Sequence, residues 1–309
     1  MTVSKILVTG VGGFIGRKLA HHFSQRRHTI YGVDRLHSEN APLTELAEYI
    51  QIELPSPSFD ELLKRWQPDA ILHCAGRASV PGAMEDPGSD FNDGPTLTFS
   101  LLASVREKWP VCAFVLLSSA AVYGNPEVTP VSENAPVRPI SAYGFHKWQS
   151  EIICQEYAGL WGMRTSSVRI FSAYGSGLRR QVMWDITYKA LTQPEIDLQG
   201  TGLESRDFIH VQDIAQGLDI ILKGANMQGE VYNLASGHET KIADLANLIN
   251  TQLNIKSKIN FSGVLPAGTP KNWRADIGKI SGLGFAHRVP LEKGVREFVE
   301  WARREIEGV

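Results

Sequence analysis

The chain has 309 residues, of which 43% are hydrophobic and 21% charged, and 31 basic against 33 acidic residues give a formal net charge of −2. A chain of this length can bury a large core in one domain, or in two that share a cleft. The near-neutral charge gives no reason to expect nucleic acid or an anionic membrane surface as a partner. The stretch from Met1 to Lys5 lacks the pattern of a signal peptide, and no run of about 18 apolar residues is present. The three cysteines and nine histidines show no metal-ligand spacing, so a cytoplasmic, metal-free protein is expected.

Short apolar runs alternate with helical patterns along the first half of the chain. The apolar runs predict strands at 5–9, 29–33, 50–52, 70–73, 113–117 and 164–170. Helices are predicted after the first strand, at 59–66, at 91–106 and around Tyr143 and Lys147. Strands buried on both faces of a parallel sheet read as continuous apolar runs. The alternation therefore predicts an α/β fold, a doubly wound parallel sheet of the Rossmann type with helices on both faces.

The pattern changes after residue 172. Helices are predicted there at 183–191, 211–222, 242–253 and 291–304, with short strands at 196–198, 231–233 and 259–261. We interpret residues 1–172 as the sheet domain and residues 173–309 mainly as a smaller α/β lobe, with some chain crossing back to the sheet. Ligands of open α/β sheets bind outside the carboxyl ends of the strands. Thr9, Asp34, His73 and the pair Ser118-Ser119 should therefore line one cleft.

Three glycines, Gly10, Gly13 and Gly16, lie between the first strand and the following helix. They permit a tight turn and a close backbone approach, so that the helix N-terminus can face a pyrophosphate. Asp34 ends the next strand, 18 residues after Gly16, near the spacing at which a carboxylate binds the adenosine ribose 2′-hydroxyl. A solvated turn residue is the alternative for Asp34. The carboxylate would repel a 2′-phosphate and favours NAD over NADP, a preference that Arg35 could soften. Residues 1–172 are thus predicted to form an NAD(P)-binding domain.

Tyr143 and Lys147 are four residues apart and would lie on one face of a helix. A positive charge close to a phenol favours its phenolate form. When hydride leaves an alcohol carbon, the hydroxyl proton must also be removed, and such a tyrosine can accept it, while the cofactor performs the redox step. On its own, the pair is equally compatible with two surface residues that share a helix face by chance.

Seven parts of the chain form a recognisable set. They are Thr9-Gly10-x-x-Gly13-Phe14-Ile15-Gly16, His73-Cys74-Ala75-Gly76, Asn92, Ser118-Ser119-Ala120-Ala121-Val122-Tyr123-Gly124, Tyr143-x-x-x-Lys147, Arg169-Ile170-Phe171-Ser172-Ala173-Tyr174-Gly175 and Arg206-Asp207-Phe208-Ile209-His210-Val211-Gln212-Asp213-Ile214. In combination and in this order, they resemble the extended short-chain dehydrogenase/reductases, the NAD-dependent epimerase/dehydratase family that acts on nucleotide sugars. The similarity runs along most of the chain.

The resemblance implies a role for each matching residue. Tyr143 would be the catalytic acid/base at a sugar hydroxyl or ketone, Lys147 would act on Tyr143 and bind the nicotinamide ribose, and Ser119 would hydrogen-bond the same substrate oxygen. The implied substrate-binding residues are Ser119, Ser172, Arg206 and Arg274. The implied NAD-binding residues are Gly10, Gly13, Phe14, Ile15, Gly16, Asp34, Arg35, Cys74, Ala75, Gly76, Asn92, Ser118, Tyr143 and Lys147.

Ala120 and Ala121 bear on the reaction. In the family's sugar-nucleotide 4,6-dehydratases, an acidic residue directly follows the active-site serine or threonine and performs the elimination of water, which alanine cannot do. Two reactions remain: a nucleotide-sugar 4-epimerase with transient oxidation at C4, or an NAD(P)H-dependent 4-keto-(6-deoxy)hexose nucleotide reductase. The NAD preference suggested by Asp34 favours the epimerase. A non-catalytic NAD-binding protein would typically have lost the tyrosine or the lysine.

The chain departs from the family's pattern at two places. Many UDP-hexose 4-epimerases carry Asn where Ser172 stands, and segment 266–270 lacks the usual arginine, for which Arg274 is the candidate replacement. Arg206 is compatible with a surface ion pair or with a substrate diphosphate, which suits a bidentate guanidinium. His73 and His210 are expected to be structural.

Family analogy also implies an assembly and a biological setting. Helices at 92–108 and 143–161 would pair with their copies in a homodimer, although the sheet could equally cover their apolar faces. The analogy further suggests a place in nucleotide-sugar metabolism and polysaccharide biosynthesis.

Overall fold

The computed structural model describes residues 4–37, 39 and 43–308. Met1 to Val3, the start of the stretch without a signal-peptide pattern, lie outside the described residues. The strands are β1 (Lys5–Thr9), β2 (Thr29–Asp34), β3 (Glu48–Gln51), β4 (Ala70–His73), β5 (Ala113–Ser119), β6 (Thr165–Ile170), β7 (Ser172–Tyr174), β8 (Glu195–Leu198), β9 (Ser205–His210), β10 (Gln228–Leu234), β11 (Glu239–Lys241) and β12 (Lys258–Phe261). The α-helices are α1 (Phe14–Ser24), α2 (Ser58–Trp66), α3 (Val80–Glu85), α4 (Pro87–Phe91), α5 (Leu97–Lys108), α6 (Ala142–Trp161), α7 (Gln181–Thr192), α8 (Val211–Gly224), α9 (Ile242–Leu253), α10 (Gly278–Ser281) and α11 (Leu291–Glu307).

In the described part of the chain, seven strands form one parallel sheet in the order β10-β6-β5-β4-β1-β2-β3. Val8 of β1 pairs with Gly32 of β2 on one side and with Leu72 of β4 on the other. The sheet grows outward from β1 in both directions, so the carboxyl ends of β1 and β4 flank the crevice in which ligands of such sheets bind. The predicted doubly wound parallel sheet is confirmed.

Successive residues of the central strands face two different apolar layers. Ile6 and Val8 belong to the cluster formed with α1 and α8, which includes Leu19 and Ile214. Leu7 faces the opposite layer, formed with α2, α5 and α6. Because both faces of the sheet are covered, each strand is apolar throughout, as its sequence predicts.

The strand predicted at 231–233 lies in the part of the chain interpreted mainly as the smaller lobe, for which some return to the sheet was expected. It is part of β10, which lies parallel to β6 at the edge of the main sheet, with Tyr232 opposite Val168. The chain therefore returns to the sheet after residue 172. The smaller lobe contains α7, α9 and α11 around a separate apolar cluster, together with the pair β8–β12 and the three-stranded sheet β11-β9-β7.

The region predicted to be helical at 91–106 is helical throughout, but it is not a regular α-helix. A π-helical turn over Asn92–Thr96 separates α4 from α5 and contains Pro95. Proline has no N–H to donate and its ring clashes with the carbonyl one turn earlier, which accounts for the widened turn at this point.

Two negative findings concern the described residues. None of their helices has both the length and the apolar character needed to cross a membrane. No group of three or more of their His, Cys, Asp and Glu side chains is arranged to hold a metal ion.

Candidate active site

The glycine-rich loop after β1 lies directly against the end of β4. Gly10 has a φ of +69°, and a Cβ at this position would lie 2.7 Å from the Cα of Ala75. Only glycine combines this backbone conformation with so close an approach. The loop is further held by Asp34, whose Oδ2 accepts a hydrogen bond from the N–H of Gly12 at 2.8 Å.

Helix α1 begins at this loop with its first N–H groups open. Gly13 is its N-cap and offers no side chain to accept from them, so the N–H groups at Phe14 and Ile15 suit an anion such as a pyrophosphate. Beside this helix start lies a cleft of about 240 Å³. The donor groups, the glycine-lined wall and the Asp34 carboxylate at the end of β2 fit a dinucleotide.

The cleft brings together half of the residues predicted to bind NAD, and these lining residues are Gly10, Gly13, Asp34, Arg35, Cys74, Ala75 and Gly76. Asn92 is exposed, and the cleft is lined instead by the neighbouring Asp93. The contact predicted for Asn92 stays a prediction, and Asp93 is a candidate that the sequence did not indicate.

Lys147 is fixed at the carboxyl end of β5. Its Nζ donates to the carbonyl oxygen of Leu117 at 3.0 Å and lies 5.8 Å from the centroid of the Tyr143 ring. Burial, with the nearby charge of Lys147, lowers the pKa of His73 to about 3. His73 is therefore neutral and shares a 2.7 Å hydrogen bond with Thr9, which suits the structural role expected for it.

Ser119 and Tyr143 are connected by the turn that follows β5. The Oγ of Ser119 accepts from the N–H of Ala121 at 3.2 Å, and the half-buried Tyr143 packs on the apolar cluster that contains residues 120–123. A Cβ at Gly144 would lie 2.6 Å from the carbonyl oxygen of Ala121. Gly144 therefore lets the first turn of α6, with Tyr143, approach the turn beside Ser119.

We expect Gly144→Ala to cost about 1–3 kcal/mol of unfolding free energy, because the added methyl group overlaps the Ala121 carbonyl. Turnover should fall by about 10²-fold, since a misplacement of about 1 Å at a catalytic group has that effect. Urea unfolding and steady-state kinetics measure the two effects. The matched control is Gly159→Ala in the same helix, where a Cβ meets nothing within 4 Å; equal effects of the two substitutions would contradict the packing argument.

A buried polar network lies below this site. Ser118 donates to Glu151 Oε1 at 2.5 Å, and Glu151 accepts from Arg169 Nη2 at 2.7 Å. Arg169 in turn donates to the Tyr123 hydroxyl, which donates to Asn233 of β10, at 2.8 and 2.7 Å. The Ser118 hydroxyl donates its proton to Glu151 and not towards the cleft. The contact predicted between Ser118 and the cofactor stays a prediction.

The charges of this network are matched inside the protein. Glu151 and Arg169 are 0% and 3% exposed. Burial alone would lower the pKa of Arg169, but the hydrogen bonds and charge of Glu151 outweigh it and raise the pKa above its usual range. Burial raises the pKa of Tyr123 to about 12, so its hydroxyl remains a donor. Glu151, four residues after Lys147, was not predicted to take part.

The smaller lobe presents two arginines. Arg206 lies over Trp273, with 5.4 Å from its Cζ to the ring centroid, and donates to the carbonyl of Ser205 at 2.7 Å. Burial lowers its pKa to about 10, which leaves it charged at neutral pH, and no carboxylate of the described residues forms an ion pair with it. Arg274 is exposed and donates to the carbonyl of Gly237 at 3.1 Å.

Asp207 holds the segments that carry these arginines. The buried carboxylate accepts from the N–H groups of Ser236, Gly237 and Ala275 at 2.8, 3.0 and 3.1 Å. Ser172 is the first residue of β7, and it pairs with Phe208 of β9, the strand that also contains Asp207. The Ser172 side chain is half-buried. The sequence motif contained Asp207, but the role of its side chain became visible only in the fold.

His210 is engaged in the fold as well. Its ring accepts from the N–H of Gln212 as the N-cap of α8 and packs edge-to-face on Tyr174, with the ring centroids 5.2 Å apart. This suits the structural role expected for it.

The model of the NAD dependent epimerase/dehydratase family matches residues 6–235 of the chain. The chain belongs to this family. The NAD dependent epimerase/dehydratase family model spans the glycine loop, Ser119, the Tyr143–Lys147 pair and Arg206, and the resemblance to the extended short-chain dehydrogenase/reductases is confirmed.

Known proteins match nearly the whole chain. UDP-glucuronic acid decarboxylase 1 from Danio rerio is 30% identical, over 98% of this chain and 73% of its own. UDP-glucuronate 4-epimerase from Thermodesulfobacterium geofontis is 27% identical, over 97% of each chain. The crystal structure of UDP-glucuronic acid 4-epimerase from Bacillus cereus in complex with UDP-glucuronic acid and NAD has a TM-score of 0.89 at 24% identity, covering 97% of this chain and 99% of that one. At that identity, the likeness shows the fold.

Proposed function

We propose that this protein is an NAD-dependent nucleotide-sugar 4-epimerase. The observation that carries the proposal is the turn after Ser119, in which Ala120 and Ala121 are 0% and 7% exposed and supply no acidic group. Proton transfer is then left to Tyr143, beside Lys147 at the strand ends. This set moves a proton on and off one sugar oxygen, which is what a 4-epimerase requires.

Each site residue has a defined task in this reaction. Tyr143 removes the proton from the C4 hydroxyl and later returns it, and the Lys147 cation favours the phenolate form during the first step. Ser119 accepts from a backbone N–H, so its own O–H is available to donate to the sugar oxygen. When bound, NAD supplies the hydride acceptor and donor.

The substrate is inferred to be a nucleoside-diphosphate sugar. Arg206 and Arg274 are two cations without a carboxylate partner in the described residues, and a guanidinium group suits a diphosphate. A uridine nucleotide is supported by the B. cereus epimerase, which binds UDP-glucuronic acid. Ser172, at the start of β7, would contact the same ligand.

We also infer a homodimer. α6 exposes Phe145 and Ile152, about two turns apart on one face, and Leu160 about two turns further along, and α5 exposes Phe99. A second copy would cover this apolar surface, and sedimentation equilibrium would measure the resulting mass. A cytoplasmic location and a place in polysaccharide biosynthesis belong to the same proposal and rest on the family alone.

The decisive experiment uses purified protein without added cofactor. Acid denaturation should release NAD, and incubation with UDP-glucose, UDP-N-acetylglucosamine and UDP-glucuronic acid should convert at least one of them to its C4 epimer by NMR. Consumption of NAD(P)H only with a 4-keto-6-deoxy sugar nucleotide would establish the reductase instead. Loss of CO₂ from UDP-glucuronic acid would establish the activity for which the D. rerio relative is named.

A further inference from the structure

A second cleft lies on the α1–α8 side of the sheet and shares no lining residue with the dinucleotide cleft. Its volume is about 260 Å³. One wall is a face of α1 that includes Lys18 and His22, and another is the first part of α8, with Gln212 and Gln216. The third wall is the segment before α11, which contributes Arg288.

Two cations in this cleft have no hydrogen-bond or ion-pair partner among the described residues. Neither the Lys18 ammonium nor the Arg288 guanidinium forms a hydrogen bond or an ion pair with the residues that the structure describes. Lys18 is half-buried, and burial lowers its pKa although Glu297 acts in the opposite direction. A partly desolvated cation without a partner is costly to hold, and a bound anion would offset this cost.

The acidic groups nearby are already engaged. Asp213 lines the cleft, but its two oxygens accept from the N–H groups of Arg288 and Val289 at 3.0 and 3.1 Å. The Asp219 carboxylate forms two ion pairs, with Arg26 Nε at 3.5 Å from Oδ2 and with Lys223 Nζ at 2.8 Å from Oδ1. The Asp213 contacts hold the backbone at Arg288. Lys18, Arg26 and Arg288 line the cleft with positive charge against the single lining carboxylate of Asp213, so the lining carries an excess of positive charge.

We propose that this cleft binds a compact phosphorylated anion, of the size of inorganic pyrophosphate or a hexose phosphate. Phosphate oxygens form strong charge-assisted hydrogen bonds with lysine and arginine, and the amides of Gln212 and Gln216 add neutral donors. Lys18 is one turn from Phe14, so this anion and the dinucleotide pyrophosphate would lie along the same helix.

The test uses the full-length protein saturated with NAD and UDP, so that the main site is filled. At constant ionic strength, isothermal titration calorimetry should detect saturable binding of pyrophosphate or of glucose 6-phosphate, and the tighter of the two identifies the ligand type. Lys18→Gln and Arg288→Gln should each weaken that binding by at least about tenfold, the effect of losing one charge-assisted hydrogen bond. The control is Lys223→Gln, an exposed cation on α8 that is already paired with Asp219 and should leave the affinity unchanged.

The variants should retain the thermal unfolding midpoint of the parent without ligand. The proposal is overturned if neither anion binds saturably, if chloride or sulfate produces the same heat, or if Lys223→Gln weakens binding as much as Lys18→Gln. Because the readout is binding outside the active site, the result is independent of whether the protein proves to be an epimerase.

Discussion

Tyr143→Phe is expected to lower kcat by about 10²–10⁴-fold, the range for loss of a general acid/base, while NAD remains bound. Two titratable groups near Lys147 are poorly suited to take over the proton. Burial raises the pKa of Cys74 to about 12 and lowers that of His73 to about 3, so the thiol stays protonated and the imidazole is a very weak base. Conversion of the best UDP-sugar, followed by NMR, measures the rate.

The control for Tyr143→Phe is Tyr188→Phe, which removes a phenol hydroxyl from a residue that is 44% exposed on α7. It should leave kcat unchanged. If Tyr143→Phe retained a tenth or more of the parent kcat, the assignment of Tyr143 as the proton carrier would be wrong.

Glu151→Met is expected to reduce the free energy of unfolding by about 3–5 kcal/mol, because it leaves the Arg169 charge buried without a partner. Urea denaturation measures this loss. The double variant Glu151→Met with Arg169→Met should recover much of it, since an apolar pair of similar volume often replaces a buried ion pair without penalty.

A surface ion pair supplies the comparison for Glu151. Glu127 is within ion-pair distance of Arg138, and their side chains are 78% and 66% exposed. Exposed pairs contribute little, so Glu127→Gln should leave the urea midpoint unchanged within error. A loss for Glu151→Met no larger than that for Glu127→Gln would show that the buried pair does not stabilise the fold.

Much of the sheet could be predicted because its strands are short apolar runs separated by helical patterns. β1, β2, β4 and β5 match their predicted ranges to within two residues. The same signal could not show which sheet a strand joins. A return of the chain to the sheet was therefore expected without identifying β10 as the strand that makes it. β7 and β11, with three residues each, were missed because they are too short to show a period.

The candidate site was predictable where the motif itself carries the chemistry, as at Gly10 and Lys147. It was not predictable where the contact partners are distant in sequence. Glu151 and Asn233 belong to one network although they are 82 positions apart in the sequence, and a glutamate in a helix usually faces solvent. Asn92 resembles the family's asparagine by position, yet it is exposed at the start of the π-helical turn.

The place of β10 has a consequence for how the protein is made. During synthesis, residues 5–170 leave the ribosome before 228–234, so β6 first exists as an open edge with unpaired N–H and C=O groups. Such edges are prone to pair with other chains. The nascent chain can close that edge only once β10 has emerged, and a fragment truncated at residue 172 would keep it open permanently.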